Sequence, residues 1–122
     1  MARILLVDDE PDIRYITRRM LERAGYSVTE ACDGESALEM LTEELPDLVL
    51  LDVRMPGMNG WEVCRRIKER EDTAHVPVVM FTVRTSEDSV KRSRECGAEA
   101  HINKPFDIDE LLAVVGRVLR GG

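Results

Sequence analysis

Four short apolar runs in this chain each end in residues that can bind a metal ion or a phosphoryl group. The run ILLVDD ends at Asp8 and Asp9, LVLLD ends at Asp52, PVVMFT ends at Thr82, and HINKP contains Lys104. Such runs are typical of strands in a buried sheet, which gathers the residues at its strand ends in one place. Three carboxylates, one hydroxyl and one ammonium group in one crevice would suit a metal ion and a phosphoryl group.

The segments between the apolar runs have the period of helices, and this alternation predicts an α/β fold with a parallel sheet. A first helix is predicted to begin near Pro11 and to stop at Gly25, and a second follows Gly34. The third and fifth helices are predicted to start at Asn59 and Asp107, each of which precedes a glutamate by three residues. This spacing is a helix-capping pattern.

The apolar runs differ in a way that orders the predicted sheet. Runs around Leu5, Leu50 and Val79 are apolar throughout, whereas Ser27–Ala31 and residues 98–104 alternate polar and apolar residues. Strands covered on both faces are apolar throughout, so the second and fifth strands are predicted to be edges. Right-handed crossovers then favour the strand order 2-1-3-4-5. In that order the first and third strands meet where the winding reverses, which is where open α/β sheets bind ligands.

Composition excludes several classes of protein. A chain of 122 residues with 43% apolar residues suits a single domain with one core region, here residues 1–122. The net charge of -7 disfavours direct nucleic-acid binding, because phosphate backbones attract basic surfaces. No apolar run approaches the roughly 20 residues of a membrane helix, and residues 1–7 lack the form of a signal peptide. We therefore expect a cytoplasmic protein without membrane contact.

The motifs at the strand ends resemble the receiver domain of two-component response regulators, in particular the chemotaxis regulators, across the whole chain. They are VDDE at residues 7–10, LLDVRMPGMNG at 50–60, FT at 81–82 and NKPF at 103–106. A lone DD or KP pair is common, but all four motifs in this order are specific. The resemblance implies a flavodoxin-like, doubly wound fold with five helices. It also implies a phosphoacceptor switch that receives a phosphoryl group from a histidine kinase or a phosphotransfer protein.

The resemblance implies a ligand set for a divalent metal ion. Asp52 would be the phosphorylated nucleophile and, with Asp9, a direct ligand, whereas Asp8 would act mainly through water. The backbone carbonyl of Arg54 would be the third protein ligand. Mg²⁺ is the expected ion, because crowded carboxylates require a hard cation and the site offers only oxygen ligands.

The remaining residues of the crevice would bind the phosphoryl group and transmit its arrival. By resemblance, Lys104 supplies a positive charge for the phosphoryl oxygens and Thr82 a hydroxyl donor. His101 stands where the family commonly has an aromatic switch residue, and would couple Thr82 to the outer face; the alternative is an exposed histidine on an edge strand. The predicted fourth helix, residues 86–95, has Val90 as its only large apolar residue and is therefore weakly anchored.

We therefore expect an output partner, whose identity the sequence does not reveal, to bind a face formed by the fourth helix, fifth strand and fifth helix. Val114 and Val118 widen the apolar stripe of the fifth helix on this side. The alternative for these two residues is a broad stripe that faces only the core.

Two other functions compete with the phosphoacceptor switch. A Mg²⁺-dependent aspartyl phosphohydrolase would carry its nucleophile after the first strand and would need a substrate pocket or cap. A receiver-like interaction module that is never phosphorylated would lack one of the five key residues. Asp52 follows the third predicted strand and all five residues are present. The chain is therefore expected to assist only its own phosphorylation and dephosphorylation, and not to be an enzyme.

Overall fold

The computed structural model describes the backbone of residues 1–82, 87–104 and 106–121, and their side chains except at residues 82 and 87–90. Strands and helices alternate along these residues, as predicted. The strands are β1 Arg3–Val7, β2 Ser27–Ala31, β3 Leu48–Asp52, β4 Val78–Thr82 and β5 Ala100–Asn103, and the helices are α1 Pro11–Arg23, α2 Gly34–Glu43, α3 Gly60–Glu69, α4 Glu87–Glu95 and α5 Ile108–Leu119. None of the described helices has both the length and the hydropathy needed to cross a membrane.

The five strands form one parallel sheet in the order β2-β1-β3-β4-β5, which confirms the predicted topology. Every residue of β3 is buried, whereas most of β2 is exposed or half-buried, as expected for a central and an edge strand. The carboxyl ends of β1 and β3 are therefore neighbours in the middle of the sheet.

Alternate residues of the central strands face two separate cores, one on each side of the sheet. In β1, Leu5 and Val7 face one core, and Ile4 and Leu6 face the other. Helices α2 and α3, together with Cys96 just after α4, contribute buried residues to the first core, and α1 and α5 contribute to the second. Helices cover both faces, which explains why the central strands are apolar throughout.

The predicted helix starts at Asn59 and Asp107 are confirmed. The side chain of Asn59 accepts a hydrogen bond from the backbone N–H of Glu62 at 3.0 Å, and Asp107 accepts one from Glu110 at 2.8 Å. Each cap satisfies one N–H that has no partner inside its helix. These caps fix the points at which α3 and α5 leave the loops around the carboxyl ends of the strands.

The strand β5 is shorter than the predicted residues 98–104, because the first of these residues complete the end of α4. Gly97 has a positive φ of 93°, and the N–H of Ala98 donates to the carbonyl of Ser93 at 3.1 Å. This glycine turn satisfies helix carbonyls that would otherwise have no partner. Residue 86, the predicted first residue of the fourth helix, lies outside the described part of the chain.

Two of the described side chains of α4, Arg92 and Ser93, contact Trp61 of α3. The indole N–H of Trp61 donates to the Ser93 hydroxyl at 3.2 Å, and the Arg92 guanidinium lies 4.1 Å from the centre of the Trp61 ring. Beneath them, the Cys64 thiol donates to the carbonyl of Cys96 at 3.3 Å. The second half of α4 is thus attached to the start and middle of α3.

Gly60 sets how closely α3 approaches the end of β3. Its N–H donates to the carbonyl of Val53 at 2.9 Å. A Cβ at this position would lie 2.8 Å from the Cα of Val53 and closer still to the carbonyl oxygen of Asp52. Both neighbours are backbone atoms that cannot rotate away, so only glycine fits without moving α3.

We predict that Gly60→Ala lowers the free energy of unfolding by about 1–3 kcal/mol, the usual cost of overpacking. Gly116→Ala is the matched control, because its Cβ would meet only the end of the flexible Arg120 side chain, at 3.0 Å. That change should be neutral or should stabilise α5 by up to about 1 kcal/mol, through helix propensity. Urea denaturation of the two variants and the wild type would measure this difference. Equal stabilities would show that α3 can move away at little cost.

Candidate metal and phosphoryl site

The carboxylates of Asp8 and Asp52 are adjacent because β1 and β3 pair in register. Val7 lies opposite Leu51, so the residue that follows each of them emerges at the same edge of the sheet. Asp8 is fully buried and Asp52 is only 2% exposed. Two like charges in so little water are costly unless a cation is close to both.

Lys104 supplies that cation. Its Nζ donates to Oδ2 of Asp8 at 2.9 Å and to Oδ2 of Asp52 at 3.3 Å. The same Nζ lies 5.5 Å from the centre of the Phe81 ring, which stacks on Phe106 at a centroid distance of 5.2 Å. The ammonium group therefore binds two buried carboxylates and lies close to the ring of Phe81.

Backbone N–H groups hold the other oxygen of each carboxylate. The N–H of Glu10 donates to Oδ1 of Asp8 at 2.9 Å, and the N–H of Arg54 donates to Oδ1 of Asp52 at 3.2 Å. In both cases the donor lies two residues after the acid, the spacing of a turn closed by the aspartate side chain. Both carboxylates are thus oriented by their own loops.

The charges of the site shift its acid–base equilibria. Burial raises the pKa of Asp52 to about 6, although the attraction of Lys104 opposes this shift. Burial alone would lower the pKa of Lys104, but its hydrogen bond to Asp8 and its attraction to Asp52 outweigh burial and hold the pKa above its ordinary value. Lys104 is therefore protonated and charged at neutral pH.

The acidic residues of this site fit a hard divalent cation. Oxygen atoms from Asp8, Asp9, Glu10 and Asp52 all lie within 4.8 Å of one another. Oxygen-only sites of this kind suit Mg²⁺, which keeps several waters and takes few carboxylate ligands. Glu10 was not among the predicted site residues, although it continues the acidic run that begins at Asp8.

Residues 4–116 match the family model of the response regulator receiver domain. The chain belongs to this family. Receiver domains are the phosphoacceptor signalling domains of two-component systems, so both the family and the signalling function predicted from the motifs are confirmed.

Two relatives differ in how much of their length the receiver domain occupies. Sporulation initiation phosphotransferase F of Bacillus subtilis is 39% identical over 117 residues, which cover 96% of this chain and 93% of the relative. The DNA-binding dual master transcriptional regulator RpaA of Synechocystis is 38% identical over 120 residues, which cover 98% of this chain but only 50% of the relative. The chain thus spans about half the length of some relatives and nearly all of others.

A solved receiver domain has a similar fold. The receiver domain of a sensor histidine kinase from Pseudomonas aeruginosa, with a magnesium ion coordinated in its active-site cleft, has a TM-score of 0.91 at 28% identity. The alignment covers 98% of this chain and 98% of that one.

The described residues place most of the predicted site of this receiver domain in one crevice. Asp8, Asp52 and Lys104 are in direct contact, and Asp9 shares the acidic cluster. Thr82 ends β4 opposite Asn103 of β5, but its side chain lies outside the described part of the structure. The phosphoryl-accepting and metal-binding roles of all these residues, including those of Thr82 and the Arg54 carbonyl, stay predictions.

Three residues of the predicted output face, His101, Val114 and Val118, are half-buried. His101 lies on the edge strand β5, is half-buried, and lines a surface cavity of about 240 Å³ together with Arg94 and Arg117. Val114 and Val118 are also half-buried and pack against the core beneath α5. The broad apolar stripe of α5 therefore serves the core at least in part, and the switch role of His101 stays a prediction.

We predict that Lys104→Met destabilises the metal-free receiver domain by about 3 kcal/mol, because removing one partner of a buried ion pair leaves charge without compensation. Excess Mg²⁺ should recover part of the loss, since a ligand that binds only the folded state raises its stability. The control is Lys91→Met, whose ammonium is exposed and lies 3.9 Å from Glu95. This change should stay within about 0.5 kcal/mol. Equal losses in urea denaturation would contradict the role given to Lys104.

Proposed function

We propose that this receiver domain accepts a phosphoryl group on Asp52 from the phosphohistidine of a histidine kinase or phosphotransfer protein. One observation carries the proposal: Asp52 is buried beside Asp8, and Lys104 donates to both. An ammonium group poised between two carboxylates can follow negative charge that arrives at either of them. Asp8 shares these contacts, and the choice of Asp52 between the two acids rests on the resemblance of its motif, LLDVRMPGMNG at residues 50–60, to the family.

The transfer itself requires little covalent chemistry from the protein. An oxygen of Asp52 attacks phosphorus, the bond from phosphorus to the histidine nitrogen breaks, and an acyl phosphate forms. Lys104 turns its ammonium toward the phosphoryl oxygens, and the hydroxyl of Thr82 donates to them. The protein assists only the formation and hydrolysis of its own acyl phosphate, and is not an enzyme with a separate substrate.

Mg²⁺ completes this site in the proposal. Asp9 and Asp52 would be direct ligands, Asp8 would act mainly through water, and the backbone carbonyl of Arg54 would be the third protein ligand. When bound, the ion neutralises carboxylates and phosphoryl oxygens that would otherwise repel each other. The cluster of acidic oxygens within 4.8 Å supports this assignment, as does the similar receiver domain with magnesium in its cleft.

The signal leaves through the face formed by α4, β5 and α5. Phosphorylation shifts Thr82, His101 follows, and an output protein or domain binds the altered face. The relative RpaA is named as DNA-binding, and the match covers only 50% of it. We assign no direct DNA contact to residues 1–122, whose net charge is -7. A cytoplasmic location, the usual one for response regulators, completes the proposal.

The first test is chemical. Incubation with Mg²⁺ and acetyl phosphate should add one phosphoryl group, labile to base, and both Asp52→Asn and excess chelator should abolish the addition. Asp109→Asn is the matched control, because Asp109 is an exposed aspartate in the first turn of α5. It should be labelled like the wild type. Intact-mass spectra that show unchanged labelling of Asp52→Asn would refute the assignment.

The second test follows the signal to the output face. Beryllofluoride with Mg²⁺, a stand-in for the phosphoryl group, should shift amide NMR signals of α4, β5 and α5 as well as those of the metal-binding loops. His101→Ala should reduce the shifts of the output face, because the proposed signal passes through His101. The coupling that is lost should be only about 1–3 kcal/mol. His75→Ala is the control: it removes the second histidine, which is exposed, and should leave these shifts unchanged. Shifts confined to the loops in the wild type would exclude the coupling.

A further inference from the structure

Both backbone polar groups of Asp8 form hydrogen bonds that the proposed reaction does not explain. The N–H of Asp8 donates to the carbonyl of Ala31 on β2 at 3.2 Å. The carbonyl of Asp8 accepts a hydrogen bond from Nη1 of Arg14 at 2.8 Å. This carbonyl belongs to the peptide plane that joins the two acids, so its direction sets how the Asp9 side chain leaves the loop relative to Asp8.

Arg14 is itself fixed by the edge strand. Its Nε donates to Oε1 of Glu30 on β2 at 3.2 Å, and the other oxygen of Glu30 lies 3.2 Å from Nε of Arg18. The Arg14 side chain is only 21% exposed. Because a guanidinium group is planar and its donors form a rigid fork, one group can bind the loop carbonyl and the strand carboxylate together. Arg14 thus connects the acidic loop, the start of α1 and β2.

We propose that Arg14 is a positioning residue for the two metal-binding carboxylates Asp8 and Asp9. This inference rests on the proposed function, because it assumes that these acids bind Mg²⁺. Arg14 binds no metal itself. It fixes the peptide that carries both acids, so that their oxygens face the same ion without further ordering of the loop. Groups that orient metal ligands in this way typically affect metal affinity 10- to 100-fold.

The direction of the change in Mg²⁺ affinity on replacing Arg14 distinguishes a positioning role from a simple effect of its charge. Arg14 is a cation near an acidic site, so the loss of its charge alone would reduce repulsion and tighten the binding of Mg²⁺. The loss of a positioning contact has the opposite effect, because the loop must then be ordered when the metal binds. A weaker site after removal of a positive charge is therefore the signature of positioning.

The experiment compares Mg²⁺ affinity, measured by isothermal titration calorimetry with the metal alone, in Arg14→Met and Arg19→Met. Arg19 lies on the same helix, is exposed, and its one described contact is with the Tyr15 ring. Arg14→Met should bind Mg²⁺ about tenfold more weakly than the wild type. Arg19→Met, which removes the same charge, should bind at least as tightly as the wild type. Unchanged or tighter binding by Arg14→Met would overturn the inference.

A second pair of variants covers the case in which Arg14→Met does not fold, which thermal unfolding would reveal. Arg14→Lys keeps the charge and one donor but loses the fork, so its affinity should fall between those of the wild type and Arg14→Met. Arg19→Lys is its control, and equal affinity of the two lysine variants would also overturn the inference. Absence of Mg²⁺ binding in the wild type would refute the proposed metal site, and the inference with it.

Discussion

Burial of two carboxylates beside one ammonium group is the constraint on which the functional end of this receiver domain depends. Asp8 and Asp52 are buried because they lie at the ends of two central strands. A charge without a partner is costly in such surroundings. Lys104 follows β5, which β4 separates from β3. Only a long side chain can cross that strand, and the ammonium of Lys104 does so over the ring of Phe81. The stack of Phe81 on Phe106 is thus part of the charged site as well as of the core.

The loops after Asp8 and Asp52 orient the two carboxylates in the same way. After both Asp8 and Asp52, the backbone turns so that an N–H two residues later binds the acid, which leaves the second carboxylate oxygen for Lys104. The close approach of Gly60 then brings α3 against the end of β3. The backbone turn after each acid therefore helps to orient it, in addition to the contact between Arg14 and the Asp8 carbonyl.

The sequence predicted the elements whose signals are local or periodic. Edge and central strands follow from burial on one or both faces, and Asn59 and Asp107 are recognisable because a cap contacts only its own helix. It predicted the meeting of Asp8, Asp52 and Lys104 because strand order decides which ends are neighbours. It did not predict Arg14 or Glu10, since their roles depend on how a loop turns in space. It also extended β5 too far, because the residues after Gly97 alternate like a strand while they complete the end of α4.

The contact between α3 and α4 has an optical consequence. Trp61 is the only tryptophan in the chain, and its indole binds Ser93 while Arg92 covers its ring. Indole emission depends on the polarity around the ring and on nearby charged groups. Helix α4, which belongs to the face that the proposed signal alters, is therefore in contact with Trp61, the strong fluorophore of the chain. The fluorescence of Trp61 in the wild-type protein therefore reports movement of α4 without an added label.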